Sequence, residues 1–176
     1  MNQLRQSTHD DIPALQELIA RSGVGLSAPY YSVDQANAIT QHVFGVDSQL
    51  IDDGTYYVIH TDGQLSACGG WSERLTLFGG DKAKTGPDRL LDPAEEPARI
   101  RAFFVAPEMA RRGLGRQLMN HCIASARSRG FSALELVSTL PGEPLYLASG
   151  FTVLERTALK LPGRVEVPVS HMRREI

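Results

Sequence analysis

An apolar run through Ile100, Ala102, Phe103, Phe104 and Val105 stops at Pro107, and Arg111, Arg112 and Arg116 then bracket Gly113 and Gly115. Leu114, Leu118, Cys122 and Ala126 follow at helical spacing without a break. The string reads as strand, glycine turn and helix N-terminus. Glycines let backbone N–H groups close around an anion, and the first turn of a helix adds the positive end of its dipole. With the arginines as countercharge, this is chemistry for holding a phosphate-bearing ligand.

What is absent narrows the ligand. A P-loop needs Gly-Lys-Ser/Thr after four intervening residues, and no such string occurs. A dinucleotide fingerprint needs a third small residue where this chain has Leu118, although Glu135 does fall 20 residues after Gly115. The strand also ends eight residues before the first glycine, too far for that turn. A plain strand-to-helix connection would account for a glycine pair alone.

The elements that must position this loop follow from periodicity and punctuation. Leu4 to Thr8 reads as a short strand, Asp10 or Asp11 as the cap of a helix burying Leu15, Leu18 and Ile19, and Gly23-Val24-Gly25 as its end. Ser32 caps a second helix with Val33, Ala36, Ile39 and Val43 on one face. Asp53-Gly54 turns into a strand from Thr55 to Thr61, and Asp62-Gly63 is a hairpin turn before the strand Leu65 to Glu73. Residues 78 to 98 carry three glycines and three prolines with little periodicity, between two strands expected to be hairpin neighbours. A loop of this length is uncommon unless it is functional or disordered. Gly113 to Ser128 reads as a helix stopped by Gly130, Phe131 to Thr139 as a strand, and Pro141-Gly142 as the opening of a short helix that ends at Gly150. Phe151 to Leu159 and Val165 to Met172 are the last strands. The order β-α-α-β-β-β-α-β-α-β-β gives an α/β (α+β) fold, a single domain over residues 1–176.

Composition excludes broad classes rather than choosing one. Hydrophobic residues make up 42% and charged residues 22% of the 176, near globular averages, and the net charge of −2 gives no case for nucleic-acid or membrane binding. From Arg99 to Arg129 there are nevertheless seven arginines against one acid, Glu108, without the interleaved aromatics that base stacking needs. Cys68 and Cys122 sit in apolar patterns and read as reduced core residues. No apolar run approaches the roughly 18 residues of a membrane span and no secretory pattern opens the chain, so a cytoplasmic protein is expected. No His/Cys cluster has metal-ligand spacing, and neither Ser-His-Asp nor Cys-His arrangements have a local signature.

Val105-x-Pro107 followed by Arg111-Arg112-Gly113-Leu114-Gly115-Arg116-Gln117-Leu118 resembles the acetyl-coenzyme A signature of the GNAT superfamily of N-acetyltransferases. Leu145-Tyr146-Leu147-Ala148-Ser149-Gly150-Phe151 resembles that family's second landmark, a tyrosine followed four residues later by Gly-Phe. The two stand in the family's order and separation, and the resemblance runs from Leu4 to Met172. Ala110 departs from the Gln or Arg frequent three residues before the first glycine; backbone amides do most of the binding in such a loop.

The resemblance implies a mixed, mostly antiparallel central sheet flanked by helices, with acetyl-CoA as cofactor and a small-molecule amine as partner. A homodimer is compatible with it. The pantetheine arm would lie along Phe103, Phe104 and Val105, and the pyrophosphate on the amides of Arg111, Arg112, Gly113, Leu114, Gly115 and Arg116. Tyr146 would be the general acid, since a phenol with an ordinary pKa of about 10 stays protonated until a thiolate needs its proton. Glu73, at the end of its strand, is the candidate general base. Glu135, flanked by Leu134 and Leu136, is its alternative, an exposed carboxylate at either place needs no function, and water could also carry the proton. His121 reads as a packing or surface histidine. Tyr30, Tyr31 and Trp71, with the 78–98 loop, would shape the acceptor pocket. Asp81, Asp88, Asp92, Glu95 and Glu96 make that loop acidic and favour a cationic acceptor. A non-catalytic acyl-CoA sensor and a protein or peptide N-acetyltransferase are the rival readings.

Overall fold

In the computed structural model, which describes residues 1–176, the chain runs β1 (Asn2–Gln6), α1 (Ile12–Gly25), α2 (Val33–His42), α3 (Ser48–Asp52), β2 (Tyr56–Thr61) and β3 (Gln64–Ser72). It continues through β4 (Ala98–Val105), α4 (Leu114–Ser128), β5 (Ala133–Thr139), α5 (Glu143–Ala148), β6 (Thr152–Leu161) and β7 (Val165–Glu175). The strands form one sheet in the order β1-β2-β3-β4-β5-β7-β6. Only β4 and β5 are parallel neighbours, so the sheet is mixed and mostly antiparallel, as the family resemblance implies.

Local chemistry explains most element ends. Asp62 and Gly63 both take positive φ, 50° and 83°, the conformation a two-residue hairpin demands. The Ser32 hydroxyl accepts from the Gln35 N–H at 3.2 Å while the Gln35 side chain accepts from the Ser32 N–H, a reciprocal cap at the start of α2. At α1 the capping expectation is corrected. A 3-10 turn, His9–Asp11, comes first, and the Asp11 carboxylate accepts from the Thr8 N–H and from Arg5 rather than from an amide of α1. The single turn of α3 was not legible, because its five residues are too few to show a period.

Helices cover both faces. Leu15, Leu18 and Ile19 of α1 pack with Val58, Cys68 and Phe104, and Ile39 of α2, with Val43 at the helix C-cap, packs on Val167. On the opposite face α4 buries Leu114, Leu118, Met119, Cys122 and Ala126 against Trp71, Ile100 and Leu134, with Tyr146 and Phe151 in the same cluster. The segment between β3 and β4 is irregular apart from a 3-10 turn at Asp81–Ala83, yet it is tied down. Asp88 accepts from the Thr76 N–H at 2.7 Å, and Arg89 pairs with Glu96 at 2.7 Å. No helix is long and apolar enough to cross a membrane.

Candidate active site

The sheet opens where β4 meets β5. Ala98 pairs with Leu134 and Arg99 with Glu135, and there the ladder stops. Beyond it β5 stays paired with β7 as far as Thr139, and β4 with β3 as far as Val105, so the two central strands part along their C-terminal halves. Buried backbone polar groups need partners. The β5-facing edge of β4 beyond Arg99 has none in the sheet.

A bulge shapes this edge. Cys68 faces Phe104 and Gly70 faces Arg101, which leaves Gly69 opposite both Ala102 and Phe103. Ala102 takes φ 53°, a left-handed conformation that costs a non-glycine residue about 1–2 kcal/mol. Its carbonyl accepts from the hydroxyl of the fully buried Tyr56 at 2.9 Å, which holds the strained turn in place. Gly69 makes room for the displaced side chain: a Cβ there would lie 2.6 Å from Cδ2 of Phe103. Phe103 and Phe104 therefore diverge, Phe104 towards Phe44 on the α1 face and Phe103 towards Tyr146 on the α4 face.

The glycine loop follows directly. Arg111 (φ 65°) and Gly113 (φ 83°) are both left-handed, and Gly113 is the N-cap of α4. No side chain caps this helix, so its first amides face outward without a protein acceptor. A Cβ on Gly113 would meet nothing within 4 Å. Arg111, Arg112 and Arg116 are exposed around this cradle, and the one acid nearby in sequence, Glu108, is taken by Arg21 at 3.1 Å. Uncapped amides, open space and unopposed cations fit a pyrophosphate.

One cavity of about 670 Å³ joins these features. Phe103, Phe104, Val105, Arg111, Gly113, Leu114, Gly115, Arg116 and Tyr146 line it, as does the half-exposed Tyr30. Tyr146 stands edge-on to Phe103 and Phe151, with centroids 6.2 and 5.9 Å away. Burial, with a smaller contribution from Cys122, lifts its pKa well above the ordinary phenol value.

Other residues singled out from the sequence stand elsewhere. Arg112 is beside the cradle but not on the cavity wall. Glu73 pairs with Arg129 at 2.9 Å, and the same guanidinium lies over the Trp71 ring at 5.3 Å. Trp71 is fully buried, its indole N–H donating to Ser125 at 3.0 Å. The Tyr31 hydroxyl donates to the Pro168 carbonyl and accepts from the Leu140 N–H, and burial raises its pKa. Glu135 is held by Arg99, Arg173 and His171. None of Glu73, Trp71, Tyr31 and Glu135 lines the cavity. The acidic loop is corrected as well: Asp81 accepts from the Ser48 N–H, Asp88 and Glu96 are engaged as above, and no acid of that loop reaches the cavity. What does reach it is Leu77 to Gly80, pinned by Arg101, whose guanidinium donates to the carbonyls of Thr76 and Gly79 and to Asp47. Arg101 and Asp47 are distant in sequence and in no motif, so only the fold reveals the pair.

Residues 17–151, from α1 through the glycine loop to Phe151, match the profile described as the acetyltransferase (GNAT) family. The chain belongs to the GNAT acetyltransferase family. Solved structures agree on the fold. A GCN5-related N-acetyltransferase from Rhodopseudomonas palustris has TM-score 0.72 at 17% identity, covering 100% of this chain and 96% of its own. The PaiA N-acetyltransferase of Thermoplasma acidophilum, in complex with coenzyme A, has TM-score 0.66 at 12% identity, covering 100% and 99%. The ribosomal-protein-S18-alanine N-acetyltransferase of Escherichia coli has TM-score 0.63 at 17% identity, covering 100% and 94%. No curated protein matches by sequence.

Proposed function

We propose that this GNAT protein, acting as one domain over residues 1–176 in the cytoplasm, transfers an acetyl group from acetyl-CoA to a primary amine of a small molecule. The observation that carries the reading is the single cavity running from the uncapped N-terminus of α4, through the gap between β4 and β5, to Tyr146. Amides and guanidinium groups of residues 111 to 116 would hold the pyrophosphate. The unpaired edge of β4 at Phe103 to Val105 would take the pantetheine amides as an added strand takes a peptide. Bound there, acetyl-CoA supplies a thioester whose carbonyl carbon accepts the amine nitrogen as the C–S bond breaks.

The protein's own part is positioning and one proton. Holding reactants in line is worth about 7–11 kcal/mol in well-oriented systems. Tyr146 keeps its proton at Oη, because burial disfavours the phenolate, until the departing sulfur takes it. Attack is direct, since a ping-pong route through a cysteine would need a thiolate. Burial pushes the Cys68 thiol up to about 12 and Cys122 higher still.

Incubation with acetyl-CoA and a panel of amines, with free thiol followed as product, tests this. Thiol release that depends on an amine is the expected result. Acetyl-CoA binding without turnover of any amine would leave the sensor reading in its place.

A further inference from the structure

The part of the cavity that faces α1 and α2 has no carboxylate and no imidazole on its wall. Leu26, Tyr30, Val43, Phe44, Phe78 and Leu159 make its lining mostly apolar and aromatic, and Tyr30 and Phe78 remain 46% and 40% exposed. Arg101 is the buried cation here. Asp47 balances its charge at 2.7 Å, Thr76 and Gly79 take its other terminal donors, and only Nε is without a partner. The remaining ionisable groups on the wall are Arg111 and Arg116 beside the glycine loop and the phenols of Tyr30 and Tyr146.

A cation entering this arm would shed part of its hydration and meet no opposite charge. Groups so placed neutralise instead. A carboxylate-bearing acceptor would find a guanidinium already compensated by Asp47.

We infer that the acceptor is an apolar amine without a second charge, taken up as its free base. This rests on the acetyl-transfer reading and names the substrate class for it. The amine leaves its ammonium proton in solvent before it enters, which is why the cavity needs no carboxylate or imidazole base. Its nitrogen then forms the C–N bond as the C–S bond breaks. Tyr146 gives a proton to the sulfur, and the proton lost from nitrogen restores the phenol.

The test uses the full chain, acetyl-CoA and thiol release with four acceptors: 2-phenylethylamine, phenylalanine, spermidine and a peptide with a free alanyl N-terminus. We expect kcat/KM for 2-phenylethylamine to exceed the other three by about 100-fold or more. It should also rise about tenfold per pH unit between about pH 6 and 9, following the free base. Phe78→Glu, at a half-exposed position on the wall, should shift the preference towards spermidine by about tenfold. Preference for spermidine, phenylalanine or the peptide in the unaltered protein, or a pH-independent kcat/KM for 2-phenylethylamine, would overturn this inference and leave acetyl transfer standing. No turnover of any acceptor, with acetyl-CoA bound, would overturn both.

Discussion

The Phe103 ring meets the Tyr146 ring edge-on, with centroids 6.2 Å apart, across the gap that separates β4 from α5. Phe103 is one of the two residues that face Gly69 at the bulge, so the β3–β4 distortion beside the gap also builds the wall next to the tyrosine. Strand strain, glycine spacing and the position of a buried phenol are thus one arrangement. A strained backbone that persists in a structure points to a role at a site, and Ala102 is strained on the wall of this cavity.

Gly113→Glu places a carboxylate in front of the uncapped amides of α4 and forces a side chain into φ 83°. Acetyl-CoA affinity should fall by at least about tenfold, about 1.4 kcal/mol, in a protein that remains folded by circular dichroism. Calorimetry that finds unchanged affinity would move the anion site away from this loop.

Asp47→Ala should be among the most damaging single changes outside the hydrophobic clusters. It leaves the Arg101 guanidinium buried, at 1% side-chain exposure, without its countercharge, and also frees Lys84. Breaking a buried pair from one side costs about 3–5 kcal/mol. Urea denaturation reads the loss, and a change below about 1 kcal/mol would mean that solvent reaches the pair.

Acid should weaken the start of α1. Bidentate donation from Arg5, together with the Thr8 N–H, holds the Asp11 carboxyl at about 2 in the folded chain despite the opposing effect of burial. A depressed carboxyl stabilises the fold fully above its unfolded pKa of about 3.9, and that contribution is lost as pH falls towards about 2. Asp11→Asn should therefore be less stable than the unaltered protein near neutral pH, with the gap closing between about pH 4 and 2. A gap that stays constant with pH would assign the effect to packing.

Much of this site was legible because its signals are local. Gly113, Gly115 and the arginines are adjacent in sequence, and Tyr146 is fixed by its spacing to Gly150 and Phe151. Long periodic segments such as α4 carried their own evidence. Residues whose meaning depends on tertiary partners did not. Trp71 and Tyr31 look like pocket aromatics until Ser125 and Pro168 are seen to take their polar groups. The acids of the 78–98 loop look like a charged surface until Ser48, Thr76 and Arg89 are seen to hold three of them. The bulge at Ala102 left no mark, since alanine carries no preference for the left-handed region.

Single-turnover kinetics of Tyr146→Phe test the central claim most directly. The change keeps the ring and its contacts with Phe103 and Phe151 and removes only the phenolic hydroxyl, the proton donor. With an amine the unaltered protein accepts, the chemical step should slow by about 100-fold or more, within the range a general acid supplies. Acetyl-CoA affinity should be nearly unchanged, because the loss is confined to the transition state. A variant that turns over at full speed would contradict the account, leaving water as the proton source and Tyr146 as packing alone.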